Sequence, residues 1–65
     1  MPIFIDFERE DVGEVAKICA SLIGAVNSLV TSKGKLRQMF MSDTEWNLVK
    51  KECDRNNIPY KIIQL

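Results

Sequence analysis

Histidine is absent from the 65 residues of this chain. A Ser-His-Asp triad, a histidine metal site and a histidine proton shuttle are therefore excluded. Only two cysteines are present, and two thiols alone cannot complete the tetrahedral shell of a zinc ion. No other cluster of side chains indicates a reaction. We therefore predict that the chain has no catalytic residues, no metal site and no cofactor, and is not an enzyme.

Net charge is also lacking, because nine Lys and Arg balance nine Asp and Glu. A protein that holds nucleic acid mainly through its phosphates normally has an excess of basic residues. Nucleic-acid binding is therefore disfavoured. With 46% hydrophobic and 28% charged residues, the composition is that of a globular protein and not of a disordered one.

Long apolar segments are missing as well. The longest uncharged run, residues 18–32, includes several polar side chains and is shorter than the ~20 apolar residues that span a bilayer. The start of the chain lacks a basic segment and reaches a charge at Asp6. We expect a cytoplasmic protein without a membrane segment. In that reducing compartment Cys19 and Cys53 are expected to be buried thiols and not a disulfide.

The length predicts a single domain over residues 1–65. A chain of this size buries only about 60% of its unfolded surface, so its core is marginal without further support. Because neither a disulfide nor a metal is expected, oligomerisation is the remaining source of support. A homodimer is therefore predicted.

The first half of the chain predicts a strand, a helix and a second strand. Residues 3–7 alternate apolar side chains on one face, which is typical of a strand. Asp11 is a candidate N-cap with Glu14 three residues later, and the helix should end at Gly24. Between them one broad apolar stripe recurs at helical spacing and is predicted to face the core: Val12, Val15, Ala16, Cys19, Leu22 and Ile23. Residues 25–31 are compatible with helix or strand; the β-branched residues favour a strand, followed by a turn at 32–35 and a returning strand at 36–41.

The second half predicts a helix and a closing strand. Ser42 is a candidate cap with Glu45 three residues later, Trp46, Val49 and Cys53 share one helix face, and residues 60–65 are typical of a strand. The predicted order is β-α-β-β-α-β, the ferredoxin-like arrangement of the α+β class. It implies a four-stranded antiparallel sheet with both helices on one face.

Three short segments carry a family resemblance. They are Glu-Asp-Val-Gly-Glu-Val-Ala-Lys-Ile at 10–18, Gly-Ala-Val-Asn at 24–27 and Asn-Ile-Pro-Tyr at 57–60. In this order they resemble the motifs D-x-P-G-x-L-A-x-I, G-x-N-I and G-(I/F)-x-(V/Y) of the ACT domain, a small-ligand-binding regulatory module. The resemblance spans nearly the whole chain. Val12 and Ser28 stand where the family usually has Pro and Ile.

The resemblance implies a regulatory domain that binds an amino acid, usually at a dimer interface, and acts on a separate partner protein. Asp11, Gly13 and Asn27 match the ligand-loop pattern of the family. Gly13 lacks a Cβ and lets backbone approach a ligand, the first-turn N–H groups can hold a carboxylate, and Asp11 or Glu10 could meet an ammonium group. The alternative is that Asp11 only caps the helix and Gly13 is incidental.

A protein-interaction or dimerisation module without a ligand, of host or viral origin, is the main alternative function. Some apolar or small side chains fall where a solvated surface would carry charge. These candidate interface residues are Ile18, Ala20, Gly24, Leu48 and Phe4. Further apolar residues, some of which must lie on the outer sheet face, are Met39, Met41, Tyr60 and Ile62.

Two other functions are less favoured. RRM domains share the element order and stack bases on aromatic residues of their central strands, where this chain has Phe4 and Phe40, with Lys33, Lys35 and Arg37 nearby. The neutral charge disfavours that function, and core packing is the expected role of Phe7 and Phe40.

The start Met1-Pro2-Ile3 resembles the short tautomerases that use an amino-terminal Pro as a general base, but the second half of the chain does not resemble that family.

Overall fold

The computed structural model describes residues 1–64, and Leu65, the end of the predicted last strand, lies outside them. The described elements are β1 (Ile3–Phe7), a 3-10 turn (Arg9–Asp11), α1 (Val12–Ile23), β2 (Ser28–Val30), β3 (Leu36–Phe40), α2 (Asp43–Arg55) and β4 (Tyr60–Ile63). The predicted α+β class and element order are confirmed. The segment left open at 25–31 contains strand β2 and no helix.

The four strands form one sheet in the order β2-β3-β1-β4, and every neighbouring pair is antiparallel. Since β3 lies between β1 and β2, these two strands are parallel to each other, and α1 connects them. In the same way α2 connects β3 to β4 across β1. The central pair, β1 and β3, is in a register that places Ile5 opposite Gln38.

Both helices pack on the same face of the sheet. Strand alternation directs Ile5 and Phe7 of β1, and Leu36 and Phe40 of β3, towards the helices. They form one buried cluster with residues of both helices and of the loop before β4, which are Val15, Ile18, Cys19, Trp46, Val49, Cys53 and Ile58. The opposite face of the sheet is covered by neither helix.

Trp46 joins α2 to three strands. Its ring centroid lies 6.5 Å from that of Phe7, 5.2 Å from that of Phe40 and 5.0 Å from that of Tyr60. The Tyr60 hydroxyl lies 2.9 Å from a carboxylate oxygen of Asp54, and this bond raises the pKa of Tyr60. Tyr60, a candidate for the outer sheet face, therefore faces the helices.

Ile62 is a second correction for the last strand. It lies opposite Ile5, and directly opposed residues of an antiparallel pair share a face. Ile62 therefore points to the helix side, although β4 is an edge strand and 48% of the residue remains exposed.

Two of the predicted helix boundaries are confirmed. Ser42 Oγ accepts a hydrogen bond from Glu45 N at 3.3 Å, which caps α2 as predicted. Glu45 Oε1 reaches back and accepts one from Met41 N at 2.9 Å, one residue before the position of a standard capping box. Gly24 ends α1 in the left-handed region with φ 68°, a conformation that glycine adopts at little cost.

The start of α1 differs from the prediction. Asp11 occupies the N-cap position, but its side chain accepts no cap hydrogen bond from the described residues. The reason is the 3-10 turn, in which Asp11 N donates to Glu8 O at 3.0 Å. That turn gives Asp11 φ −93° and ψ 4°, whereas a capping side chain needs an extended backbone.

The buried side of α1 is rotated relative to the predicted stripe. Val12 and Leu22, both predicted to face the core, are 46% and 40% exposed. Ile18, a predicted interface residue, is only 8% exposed and belongs to the core cluster. Packing against both the sheet and α2 selects the side that carries Val15 and Ile18.

The two cysteines are free and fully buried, one on each helix. Burial raises the pKa of Cys19 and of Cys53 to about 11. Their predicted role as buried apolar thiols is confirmed.

Candidate binding surface

The residues that the family resemblance singled out do not form one cluster in a single chain. Glu10, Asp11 and Gly13 lie together at the start of α1, while Asn27 follows the end of that helix. A 12-residue helix rises about 18 Å along its axis. Asn27 instead meets β3, where its carbonyl oxygen accepts a hydrogen bond from Met39 N at 2.8 Å.

The start of α1 is open but strongly acidic. A Cβ at Gly13 would meet no described atom within 4 Å, so packing within the chain does not require glycine there. Glu10 and Glu14 are exposed and Asp11 is half-buried. Because carboxylates already supply the negative charge that a helix N-terminus favours, this location suits an ammonium group better than a second carboxylate.

The remaining predicted interface residues lie on opposite sides of the sheet. Ala20, Gly24 and Leu48 are exposed on or next to the helices. Phe4 is half-buried and alternates with Ile5, so it points away from the helices. These residues therefore cannot belong to one continuous contact with a single flat partner.

The uncovered face of the sheet carries a different set of side chains. Register and alternation place there Phe4 and Asp6 of β1, Arg37 and Met39 of β3, Leu29 of β2, and Lys61 and Ile63 of β4. We call this set the open face. It combines a row of apolar side chains (Phe4, Met39 and Ile63) with a row in which Asp6 lies between two cations.

Ion pairs order the charged side chains of the open face. Arg37 Nε lies 2.7 Å from Asp6 Oδ1, and Arg37 Nη2 lies 3.1 Å from Oδ2, a two-pronged contact. The hydrogen bond from Arg37 lowers the pKa of Asp6, and Lys61, opposite Asp6 in the register, lowers it further. A second pair lies next to it, between the residue after β1 and the residue before β3: Lys35 Nζ lies 2.7 Å from a carboxylate oxygen of Glu8.

A shallow depression of about 640 Å³ lies over this charged region. Its acidic lining residues are Asp6 and Glu8, and its basic ones are Lys33, Lys35, Arg37 and Lys61. Four positive charges against two negative ones leave a surplus of two positive charges. Such a surface can bind an acidic or extended partner; within residues 1–64, no group of three or more acidic or cysteine side chains could hold a metal ion.

The structure separates the aromatic pair that an RNA-binding surface would need. Phe4 lies on the open face, but Phe40 is fully buried on the helix side, so the two rings cannot stack bases together. The core role predicted for Phe7 and Phe40 is confirmed. Pro2, the residue that corresponds to the general base of the tautomerases, is exposed before β1.

The sequence singled out Lys35 and Arg37 only as basic residues near a candidate RNA-binding surface, and it did not predict their pairing with Glu8 and Asp6. The available signal was the opposite sign of alternate residues, with Asp6 and Glu8 at one strand and Lys35 and Arg37 at another. That signal becomes meaningful only when the register of β1 and β3 is known.

Comparison with known proteins gives one informative match. No family model and no curated protein matches the chain. The solution structure of the PlyG cell wall binding domain is similar to it, with a TM-score of 0.63 and 20% identity over 95% of this chain and 76% of that one. At this identity the likeness concerns the fold. Within residues 1–64, no helix has the length and apolar character needed to cross a membrane.

Proposed function

We propose that this chain is a small non-catalytic binding domain that meets its partner through the open face. The observation that carries the proposal is the uncovered sheet side, where half-buried apolar side chains adjoin the ion pair between Asp6 and Arg37. Preordered charged groups bind at a lower entropic cost than free ones.

The structural neighbour supports a binding role in general terms, since it is a cell wall binding domain with a similar fold. Purified cell walls are therefore the first probe. The measurement is co-sedimentation of the protein with the walls, for the wild type and for two variants of identical chemistry. Lys61→Glu alters the open face, whereas Lys51→Glu alters an exposed position on α2.

We expect wall-bound protein for the wild type and for Lys51→Glu, and a loss of binding for Lys61→Glu. Equal loss or equal retention in the two variants would contradict the use of the open face. If the wild type itself does not sediment with the walls, cell wall is excluded as the partner and the amino-acid function below is tested next.

A regulatory domain that binds an amino acid and modulates a partner protein is the second candidate. The open space around Gly13 and its acidic neighbours supports it, because an ammonium group could approach the backbone there. Gly13→Val or Asp11→Ala should abolish thermal stabilisation by the ligand without unfolding the protein. Absence of a melting-temperature shift with all standard amino acids would exclude this function.

Either function is compatible with the homodimer expected from the size of the chain. Sedimentation velocity over a range of concentrations tests it directly. A single species of 7.4 kDa at all concentrations would contradict the dimer.

A further inference from the structure

Strand β2 forms one edge of the sheet, and nothing in its sequence protects that edge. Its three residues are all exposed, and residues 25–31 contain no charged residue, proline or glycine. Natural sheets usually guard an exposed edge by keeping it short or with a charge, a proline or a bulge, and of these β2 has only its short length. The opposite edge, β4, has such guards, because it follows Pro59 and carries Lys61.

The hydrogen-bond phase of β2 determines which backbone groups are available. Thr31 N donates to Lys35 O at 2.8 Å, and Met39 N donates to Asn27 O at 2.8 Å. In an antiparallel pair the bonded positions alternate, so Asn27, Leu29 and Thr31 direct their backbone groups to β3. The N–H and C=O groups of Ser28 and Val30 therefore point away from the sheet.

Apolar side chains border these outward groups on both faces. Leu29 is 58% exposed on the open face, and Val30 is 54% exposed on the helix side. Val26, just before β2, is 44% exposed. An added strand would cover part of this apolar surface while it forms main-chain hydrogen bonds.

We propose that the free edge of β2 binds an extended segment of a partner protein as a fifth strand, hydrogen-bonded to Ser28 and Val30. The expected segment alternates apolar residues and carries an acidic residue near the turn after β2. Lys33 is exposed in that turn and forms no ion pair with any of residues 1–64. A carboxylate of the partner would complement it.

Interface size favours a peptide segment over a second copy of this chain. Two β2 edges could contribute only the few residues around 26–30 of each copy, whereas a stable protein interface uses about 20–30 residues on each side. Strand addition gains its affinity from main-chain hydrogen bonds and a few side-chain contacts, which this short edge can supply. Leu29 and Lys33 border both this edge and the open face, but the main-chain groups of Ser28 and Val30 belong to the edge alone. Strand addition at those groups therefore stands if the proposed function of the open face fails.

A synthetic peptide, Glu-Val-Thr-Val-Thr-Val-Glu, is a suitable probe. The control peptide has the central valine and both threonines replaced by proline, which removes the central donors along both edges of the peptide strand. Amide hydrogen exchange of the protein is measured by NMR with each peptide. With the first peptide the Ser28 and Val30 amides should exchange about tenfold more slowly, while the control peptide should leave both rates unchanged.

Matched proline variants test the edge itself. Val30→Pro removes an outward N–H and leaves the β2–β3 bonds in place, because proline is tolerated where the N–H faces solvent. Asp43→Pro places proline at the first position of α2, which is exposed and follows the extended backbone of Ser42, so proline is favoured there. Peptide affinity should be lost in Val30→Pro and kept in Asp43→Pro. If Val30→Pro does not fold, Ser28→Pro removes the other outward donor and serves in its place.

Four results would overturn the proposal. The first is unchanged exchange at Ser28 and Val30 at millimolar peptide, and the second is equal peptide affinity of the edge variant and the wild type. The third is protection of these two amides that appears without peptide and grows with protein concentration, since a second copy would then occupy the edge. Shifts confined to Arg37, Met39 and Lys61 would place the peptide on the open face and would equally refute strand addition.

Discussion

Gln38 lies on the helix-facing side of β3, between Ile5 of β1 and Ser28 of β2, and is fully buried. Neither its side-chain nitrogen nor its side-chain oxygen has a hydrogen-bond partner among residues 1–64. A polar amide in this position loses its bonds to water and gains none in return. Replacement by methionine, Gln38→Met, keeps an unbranched side chain of similar length that adapts to core gaps.

The expected gain follows from the cost of the unpaired amide. In proteins, burial of such a group without compensation costs about 1–3 kcal/mol. We therefore expect Gln38→Met to raise the free energy of unfolding by about 2 kcal/mol. For a domain of this size that corresponds to a rise in Tm of roughly 8–16 °C.

Thermal and urea unfolding monitored by circular dichroism measure both quantities, and an unchanged urea m-value shows that the unfolded state is not altered. Gln64→Met is the matched control, because Gln64 is exposed after β4 and the change should be within about 0.5 kcal/mol. A loss of more than about 1 kcal/mol in Gln38→Met would refute the reasoning, since it would indicate that the amide is hydrogen-bonded by a buried water.

Three further predictions concern charge, thiols and a helix cap. Asp6 has a lowered pKa because Arg37 hydrogen-bonds its carboxylate. The stability that this carboxylate contributes is complete above the unfolded pKa of about 3.9 and is lost as the pH falls through the folded pKa. In Asp6→Asn the Tm should therefore fall less steeply as the pH is lowered. Cys19 and Cys53, with a pKa of about 11, should react with a thiol reagent at pH 8 about 100-fold more slowly in the native protein than in urea. Ser42→Ala removes the cap of α2 and should lower the free energy of unfolding by about 1 kcal/mol in urea titrations.

Each of these predictions has a result that contradicts it. An unchanged acid profile of Tm in Asp6→Asn would exclude the ion pair with Arg37 as a source of stability. Equal thiol reaction rates with and without urea would show that the cysteines are accessible. For the cap, Ser21→Ala is the matched control on the exposed side of α1, and an equal loss in the two serine variants would contradict a capping role.

Local patterns were sufficient to predict most of the elements. Gly24 ends α1 and the Ser42–Glu45 pair begins α2, because both signals act within one helical turn. The buried side of α1 was harder to predict from the sequence, since Val12 and Ile18 both lie near the margins of a broad apolar stripe. Which margin is buried depends on contacts with α2, which the sequence of α1 does not contain.

The open face could not be identified from local patterns. Asp6 and Arg37 are bonded across a strand pair and lie 31 positions apart in the sequence. A one-residue change of register would place them on opposite faces of the sheet. The resemblance to the ACT domain likewise singled out a ligand loop and no residue pair of the open face. Its positions 11, 13 and 27 are close in sequence, but α1 separates the first two from the third.

The position of β1 at the centre of the sheet has a consequence for the folding pathway. Its two partners follow it only after about thirty and about sixty residues, whereas β2 and β3 are joined by a short turn. Closing a long loop costs more chain entropy than closing a short one, and distant pairings form slowly. We therefore expect the β2–β3 hairpin to form early. β1, the first of the four strands in sequence order, would then be among the last to pair with its neighbours.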